Sequence, residues 1–249
     1  MKRILLFVIL SFFMGIISVN AQCEKGKKYI ESKEYVKAMD VLSPLAEKGD
    51  QEAQFLLGEI YSNEEITLFD FDKALKWYKL SAEQGDEEAQ LCLGNFYCFG
   101  DGGVQDFKEA FKWYSKSAKQ GDARAQCRLG NLYYEGKGIV RNYSEAFKWY
   151  QLSAKQGDSH AQFCYGDMFF LGHSVEKDYK EAFKWYRLAA EQGHAGAQKY
   201  LGDMYSYGYG VSTDLTKAIK WYTVAAKQGA AANAQYCLGD LYRSGSGVS

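Results

Sequence analysis

Six cysteines, three histidines and a recurring row of amide and acidic side chains are the residues of this 249-residue chain whose types could do chemistry. Cys23, Cys92, Cys98, Cys127, Cys164 and Cys237 could cross-link, hold a metal or supply a nucleophile. Their spacing argues against cross-links. Cys92, Cys164 and Cys237 share one position of a repeated frame, and equivalent positions in adjacent units lie on the order of 10 Å apart, beyond the ~7 Å a disulfide spans. Cys92 and Cys98 are six apart on one helix and point in different directions. His160, His173 and His194 show no ligand-like spacing and no C-x-x-C accompanies them, so neither metal nor cofactor is expected. Gly136-Lys137-Gly138 lacks the G-x-x-x-x-G-K-[S/T] pattern of a phosphate loop, and no nucleophile with a partnered base is legible. Asn142-Tyr143-Ser144 is a glycosylation sequon, although Asn142 also suits a helix N-cap.

The remaining candidate is a binding surface. The frame A-Q-x-x-L-G-x-x-Y starts at Ala53, Ala89, Ala125, Ala161, Ala197 and Ala234. On a helix its third, seventh and tenth positions share a face. The seventh positions read Glu59, Asn95, Asn131, Asp167, Asp203 and Asp240, a row of polar acceptors. Phe55, Phe163 and Tyr236 at the third position, with Tyr134 and Phe170 at the tenth, set aromatic anchors beside that row. Convergent polar groups on an apolar wall suit an extended segment of a protein or peptide partner. The plainer reading is that the polar row solvates a face while the aromatics complete the core.

A second frame positions the first. Trp77, Trp113, Trp149, Trp185 and Trp221 are each 36 residues apart, and each is followed by Tyr. Around Trp113, Ala110, Trp113, Tyr114, Ser117 and Ala118 fall at i, i+3, i+4, i+7 and i+8, one apolar stripe of an α-helix. Asp106 with Glu109, Asn142 with Glu145 and Asp178 with Glu181 have the capping-box spacing at the helix start. Gly85, Gly121, Gly157, Gly193 and Gly229 suit the left-handed position after its end. Asp86, Asp122 and Asp158 then cap the next helix. A glycine at one interior position of six helices costs about 1 kcal/mol each, which implies that a neighbouring helix passes too close there for a β-carbon. A fixed period of this length marks units that must stack to bury their apolar faces. The Trp and Tyr rows are then the core, with Trp149 touching units on both sides.

The combined pattern, A-x-x-x-L-G-x-x-Y-x-x-G-x-G-V followed by D-x-x-K/E-A-x-x-W-Y-x-x-A-A-x-Q-G-D, resembles the Sel-one-like repeat, a relative of the tetratricopeptide repeat with a longer inter-helix loop. The resemblance covers about residues 50 to 249. It implies an all-α fold, a right-handed α-solenoid of stacked antiparallel helix pairs, with a non-enzymatic role as an adaptor for protein partners. The first helix of each pair would line the concave side. In cysteine-rich members of the family, paired cysteines staple each unit, and a β-lactam-hydrolysing role has been proposed for them. Here the cysteines lie on first helices and none on the Trp helices, a departure that weakens both inferences. A part in an envelope assembly is a further alternative.

Taken in chain order, Lys2 and Arg3 precede an apolar run from Ile4 to Val19, and Val19-Asn20-Ala21 offers a cleavage site. Residues 1–21 therefore read as a secretory signal, with a periplasmic or secreted product and no membrane span after cleavage. An uncleaved anchor, or a lipoprotein through Cys23, are lesser options. Removing Lys2 and Arg3 leaves 28 cations against 31 acids, and no basic block stands out, so nucleic acid is not the expected partner. Residues 22–49 form a degenerate capping repeat, with Val41 in place of Trp and Pro44 inside its second helix, where a kink is expected. Tyr29 and Ala38 are nine apart where Tyr97 and Ala110 are thirteen apart, as suits an atypical terminal unit. Five full units follow at 50–85, 86–121, 122–157, 158–193 and 194–229, then a partial one at 230–249.

Overall fold

The computed structural model describes residues 20–103, 105–228 and 232–243. The signal-segment residues 1–19, together with Gly229 and the last six residues, lie outside them. Among the described residues there are thirteen α-helices and no strand. They are α1 (residues 20–31), α2 (Tyr35–Glu47), α3 (Gln51–Ser62), α4 (Phe71–Glu83), α5 (Glu87–Phe99), α6 (Phe107–Gln120) and α7 (Ala123–Glu135). Then come α8 (Tyr143–Lys155), α9 (Ser159–Leu171), α10 (Tyr179–Glu191), α11 (Ala195–Tyr207), α12 (Leu215–Lys227) and α13 (Ala232–Arg243). Packing divides the chain into two compact units, Met1–Ser117 and Ala118–Ser249.

In each unit consecutive helices pack side by side and share a core. The first unit buries Leu42, Leu57, Ile60, Tyr78, Leu93 and Tyr114. The second buries Leu129, Tyr150, Met168, Tyr186, Leu201, Met204 and Tyr222. The Trp-Tyr row is unevenly sunk. All five tyrosines are at most 3% exposed, whereas Trp113 alone of the tryptophans is fully buried. Trp149 is half-buried, so the tyrosine is the principal core anchor of each Trp-Tyr pair.

The helix borders are set by short polar side chains. Asp50, Asp86, Asp122 and Asp158 accept the N–H of the alanine three residues on, at 2.7–2.9 Å. Asn142 and Asp178 cap α8 and α10 from the predicted positions. Their Glu partners do not close a capping box. Glu145 and Glu181 instead meet Lys148 and Lys184 at 2.7 and 2.6 Å, while the N–H groups of Asn142 and Asp178 reach the Tyr133 and Phe169 carbonyls. Each loop is therefore closed by backbone. Pro44 is accommodated within α2, which runs on to Glu47.

The interior glycines have a specific cause. A β-carbon at Gly58, Gly130 or Gly166 would fall 2.6, 2.7 or 2.9 Å from the ring of Tyr78, Tyr150 or Tyr186. The close neighbour is a side chain, and glycine opens the socket that receives it. In the terminal repeat Gly26 does the same for Leu42, which stands where the other repeats have tyrosine.

Candidate functional site

The acceptor row lies beside those sockets, 19 residues before each tyrosine. In the first unit Tyr78 donates to Glu59 at 2.8 Å and Tyr114 donates to Asn95 at 2.8 Å. In the second, Tyr150 donates to Asn131 at 2.8 Å, Tyr186 to Asp167, and Tyr222 to Asp203 at 2.7 Å. Burial pushes all three of these hydroxyls upward in pKa, so each remains a donor. Asp203 also meets Lys199 at 2.5 Å. Asp240 on α13 instead faces Arg243 at 3.3 Å. The row is thus engaged with core hydroxyls and is not a line of free acceptors. Glu59 is exposed, Asn95, Asn131 and Asp167 are half-buried, and Asp203 is buried. Burial raises Asp167 to about 6, against the lowering effect of the Tyr186 hydroxyl.

The aromatic anchors divide between the units. In the first, Phe55 packs 6.0 Å from the ring of Tyr78. In the second, Phe163 and Phe170 flank Asp167 on α9, and both contact Tyr200 of α11 with centroids 5.7 Å apart. Tyr134 joins a separate group with Tyr143 at 5.1 Å and His173 at 5.6 Å. Tyr236 is 66% exposed and stands apart on α13. Tyr200 and Tyr209, which packs against Phe170 and stacks on Tyr179, extend the wall and were not singled out by the sequence frame. Their signal was available: Tyr200 replaces the Leu, Cys or Arg found at the fourth position of the other units.

A second polar system was missed as well. Five of the six A-Q glutamines, Gln54, Gln90, Gln126, Gln162 and Gln198, are buried and donate to a carbonyl eight residues earlier, as Gln162 does to Ala154 at 3.3 Å and Gln198 to Ala190 at 3.2 Å. Gln84, Gln156, Gln192 and Gln228 of the Q-G pairs then donate to such a glutamine from the next helix border, Gln192 to Gln162 at 2.8 Å and Gln228 to Gln198 at 2.9 Å. These bonds satisfy orphan carbonyls at helix ends and tie each repeat to the next.

The thiols offer little for nucleophilic chemistry. None of the six cysteines is in a disulfide. Burial pushes the Cys127 and Cys164 thiols well up, and burial with the Asp50 hydrogen bond takes Cys23 to about 12, so these three stay protonated near neutrality. Among the described residues no group of three or more His, Cys, Asp or Glu is placed to hold a metal ion. What the arrangement can do is bind, through ring faces and the second oxygens of carboxylates already held by tyrosine.

Stacked antiparallel helix pairs joined by buried Tyr and Gln bonds define an all-α protein of the right-handed α-solenoid class. The Sel1 repeat family model matches residues 51–86, 87–122, 123–158, 159–194, 195–229 and 232–249, and the chain belongs to that family. It is similar to a Sel1 repeat protein from Oxalobacter formigenes, with 34% identity and a TM-score of 0.83, covering 92% of this chain and 90% of that one. It is also similar to c5321, a protective antigen of uropathogenic Escherichia coli strains with an SLR fold, with 34% identity and a TM-score of 0.81. That likeness covers 90% of this chain but 49% of c5321, so the chain spans about half the length of the antigen. No curated protein matches. Sel1 repeat proteins are generally protein-interaction scaffolds. No described helix is long and apolar enough to cross a membrane.

Proposed function

We propose that this chain is a binding scaffold whose first helices carry a groove for an extended segment of a partner protein. The observation that supports it is the wall on α9 and α11, where Phe163, Phe170 and Tyr200 flank Asp167 and Asp203. Each of these carboxylates has one oxygen on a tyrosine hydroxyl. Asp167 keeps its other oxygen for a backbone N–H or a cation, and the rings supply flat apolar area at low entropic cost. Glu59, Asn95 and Phe55 in the first unit, with Asn131, Tyr134, Tyr236 and Asp240 in the second, are the remaining positions assigned to such a surface. The role is recognition, not catalysis. The scaffold acts after export, a reading carried by the charged start, apolar run and cleavage site of residues 1–21. A mature chain beginning at Gln22 by intact mass supports export, and a mass retaining residues 1–21 removes it.

Peptide-display selection against the full chain, followed by affinity measurement on variants, tests the groove. Phe170→Ala with Tyr200→Ala is expected to weaken selected peptides at least tenfold. Leu152→Ala with Leu188→Ala, exposed leucines on α8 and α10, should change affinity less than twofold. The reverse ranking, with circular dichroism unchanged, places recognition on the Trp helices instead.

A further inference from the structure

Four first helices, α3, α5, α7 and α9, begin at an aspartate, whereas α11 begins at His194. The His194 ring does the work of the carboxylate. Its Nδ1 accepts the Ala197 N–H at 3.2 Å, and its face stacks on Phe163 with centroids 4.7 Å apart. An accepting Nδ1 carries no proton, so the neutral ring holds its proton on Nε2. That atom lies 3.3 Å from Nδ1 of His160. His194 is therefore the donor of this pair and His160 Nδ1 the acceptor. The His160 proton is left on Nε2, which faces the Cys164 sulfur at 3.7 Å. One backbone N–H thus fixes both tautomers, and both bare nitrogens are already accepting.

A second proton can reach either ring only by displacing one of those bonds. On His194 Nδ1 it meets the Ala197 N–H; on His160 Nδ1 it meets the His194 Nε2–H. We propose that the His160–His194 pair is a pH-sensitive helix cap that releases the first turn of α11 on mild acidification. The charged and titratable groups around the pair are Arg128 of α7, Asp158 at the start of α9 and Cys164. Arg128 opposes protonation. Asp158 favours it, but its Oδ1 is held by the Ala161 N–H at 2.7 Å, and Cys164 stays a neutral thiol. Burial and, for each, a neighbouring cation or imidazole hold both rings below the ordinary histidine range, so the neutral pair is the resting state at pH 7. The aspartate caps of α3, α5, α7 and α9 accept their N–H on a carboxylate oxygen, with no imidazole nitrogen at that place. The release is thereby confined to the helix that carries Tyr200 and Asp203.

Nuclear magnetic resonance on the full chain tests this. At pH 7.5 both rings should show the Nε2–H tautomer. Between pH 7.5 and 5, amide exchange at Ala197, corrected for intrinsic rates and divided by that at Ala125 and Ala161, should rise about fivefold, the worth of one cap. In His194→Asp, which restores the cap used by α7 and α9, the ratio should stay flat. An Nδ1–H tautomer of His194 at pH 7.5 overturns the proposal. So does a flat ratio in the wild type, or an equal rise in His194→Asp.

Discussion

Two neighbouring repeats of the second unit, Asp122–Gly157 and Asp158–Gly193, build one socket with different chemistry. In both, a Trp-helix tyrosine lies over a glycine of the preceding helix, with a hypothetical β-carbon 2.7 Å away at Gly130 and 2.9 Å away at Gly166. In both, the hydroxyl reaches a seventh-position acceptor 19 residues earlier. The acceptor is the amide of Asn131 in one and the carboxylate of Asp167 in the other. Their rings are equally hidden, Tyr150 at 2% exposure and Tyr186 at 0%. Volume and geometry are therefore held constant while charge varies. The ring sets how strongly a repeat is held, and the acceptor sets how that strength depends on pH.

The largest effect should be common to both repeats. Tyr150→Ala and Tyr186→Ala are each expected to cost about 3–5 kcal/mol, the range for emptying a buried aromatic site. Urea melts measure this, and a loss under about 1 kcal/mol in either would remove the ring from the core. Nearest-neighbour coupling should spread the damage to adjacent repeats. Removing only the hydroxyl separates the pair. Tyr150→Phe should cost about 1 kcal/mol, and Tyr186→Phe about 1.5–3 kcal/mol above pH 6, where its acceptor is charged. Equal costs would show that the carboxylate behaves as an amide.

The acceptor itself gives the next effect. Burial lifts Asp167 to about 6 in the folded chain, above the ~3.9 of an unfolded aspartate. Between those values the native state binds more protons than the unfolded one, so stability falls as pH rises. The contribution is complete below pH ~4 and lost as pH climbs through 6. Asp167→Asn, which copies Asn131, should abolish that slope and gain about 1–2 kcal/mol over the wild type at pH 8. The His160–His194 pair has the opposite sign, because its folded values lie below the unfolded ones, and it loses stability as pH falls below ~6.5. The two are separated by taking the difference between wild type and Asp167→Asn at each pH. A difference that does not vary from pH 4 to 8 refutes the charged-acceptor reading.

The same pair of repeats marks what could be read before the structure. Helix period, Asp and Asn caps and the Gln-Gly stop all follow from local side-chain chemistry, so residues such as Asn142 and Gly157 announce their roles. The crowding at Gly130 and Gly166 was legible too, since a helix-interior glycine needs a cause. Its source was not, because a close backbone and a close ring leave the same mark. The polar row was visible as Asn131 and Asp167 but not its engagement, for the donors lie 19 residues on in another helix. Period-based reasoning placed the Trp and Tyr rows together in the core, with Trp149 against units on both sides, whereas the tyrosine alone fits the glycine socket and finds a partner for its hydroxyl. Tyr200, and the capping role of His194, escaped notice because each departs from the repeated frame.

The smallest difference between the two repeats is in the loop that precedes each Trp helix. Gly138 in one holds φ at 73°, and Ser174 in the other is held at 65°, in the region where a β-carbon is crowded. Gly210 occupies the matching place one repeat later at 69°, so the turn itself demands this conformation. Ser174 is exposed, and no hydrogen bond of its hydroxyl offsets the strain among the bonds of the described residues. Ser174→Gly should therefore relieve the turn, and the greater freedom of glycine in the unfolded chain takes back part of the gain. The net expectation is a rise of about 0.5–1 kcal/mol, or roughly 1–4 °C in Tm for a chain of this size. Gly138→Ser should move the first repeat in the other direction by a similar amount. If both substitutions destabilise, the serine in this turn is supported by its surroundings and the two loops are not equivalent.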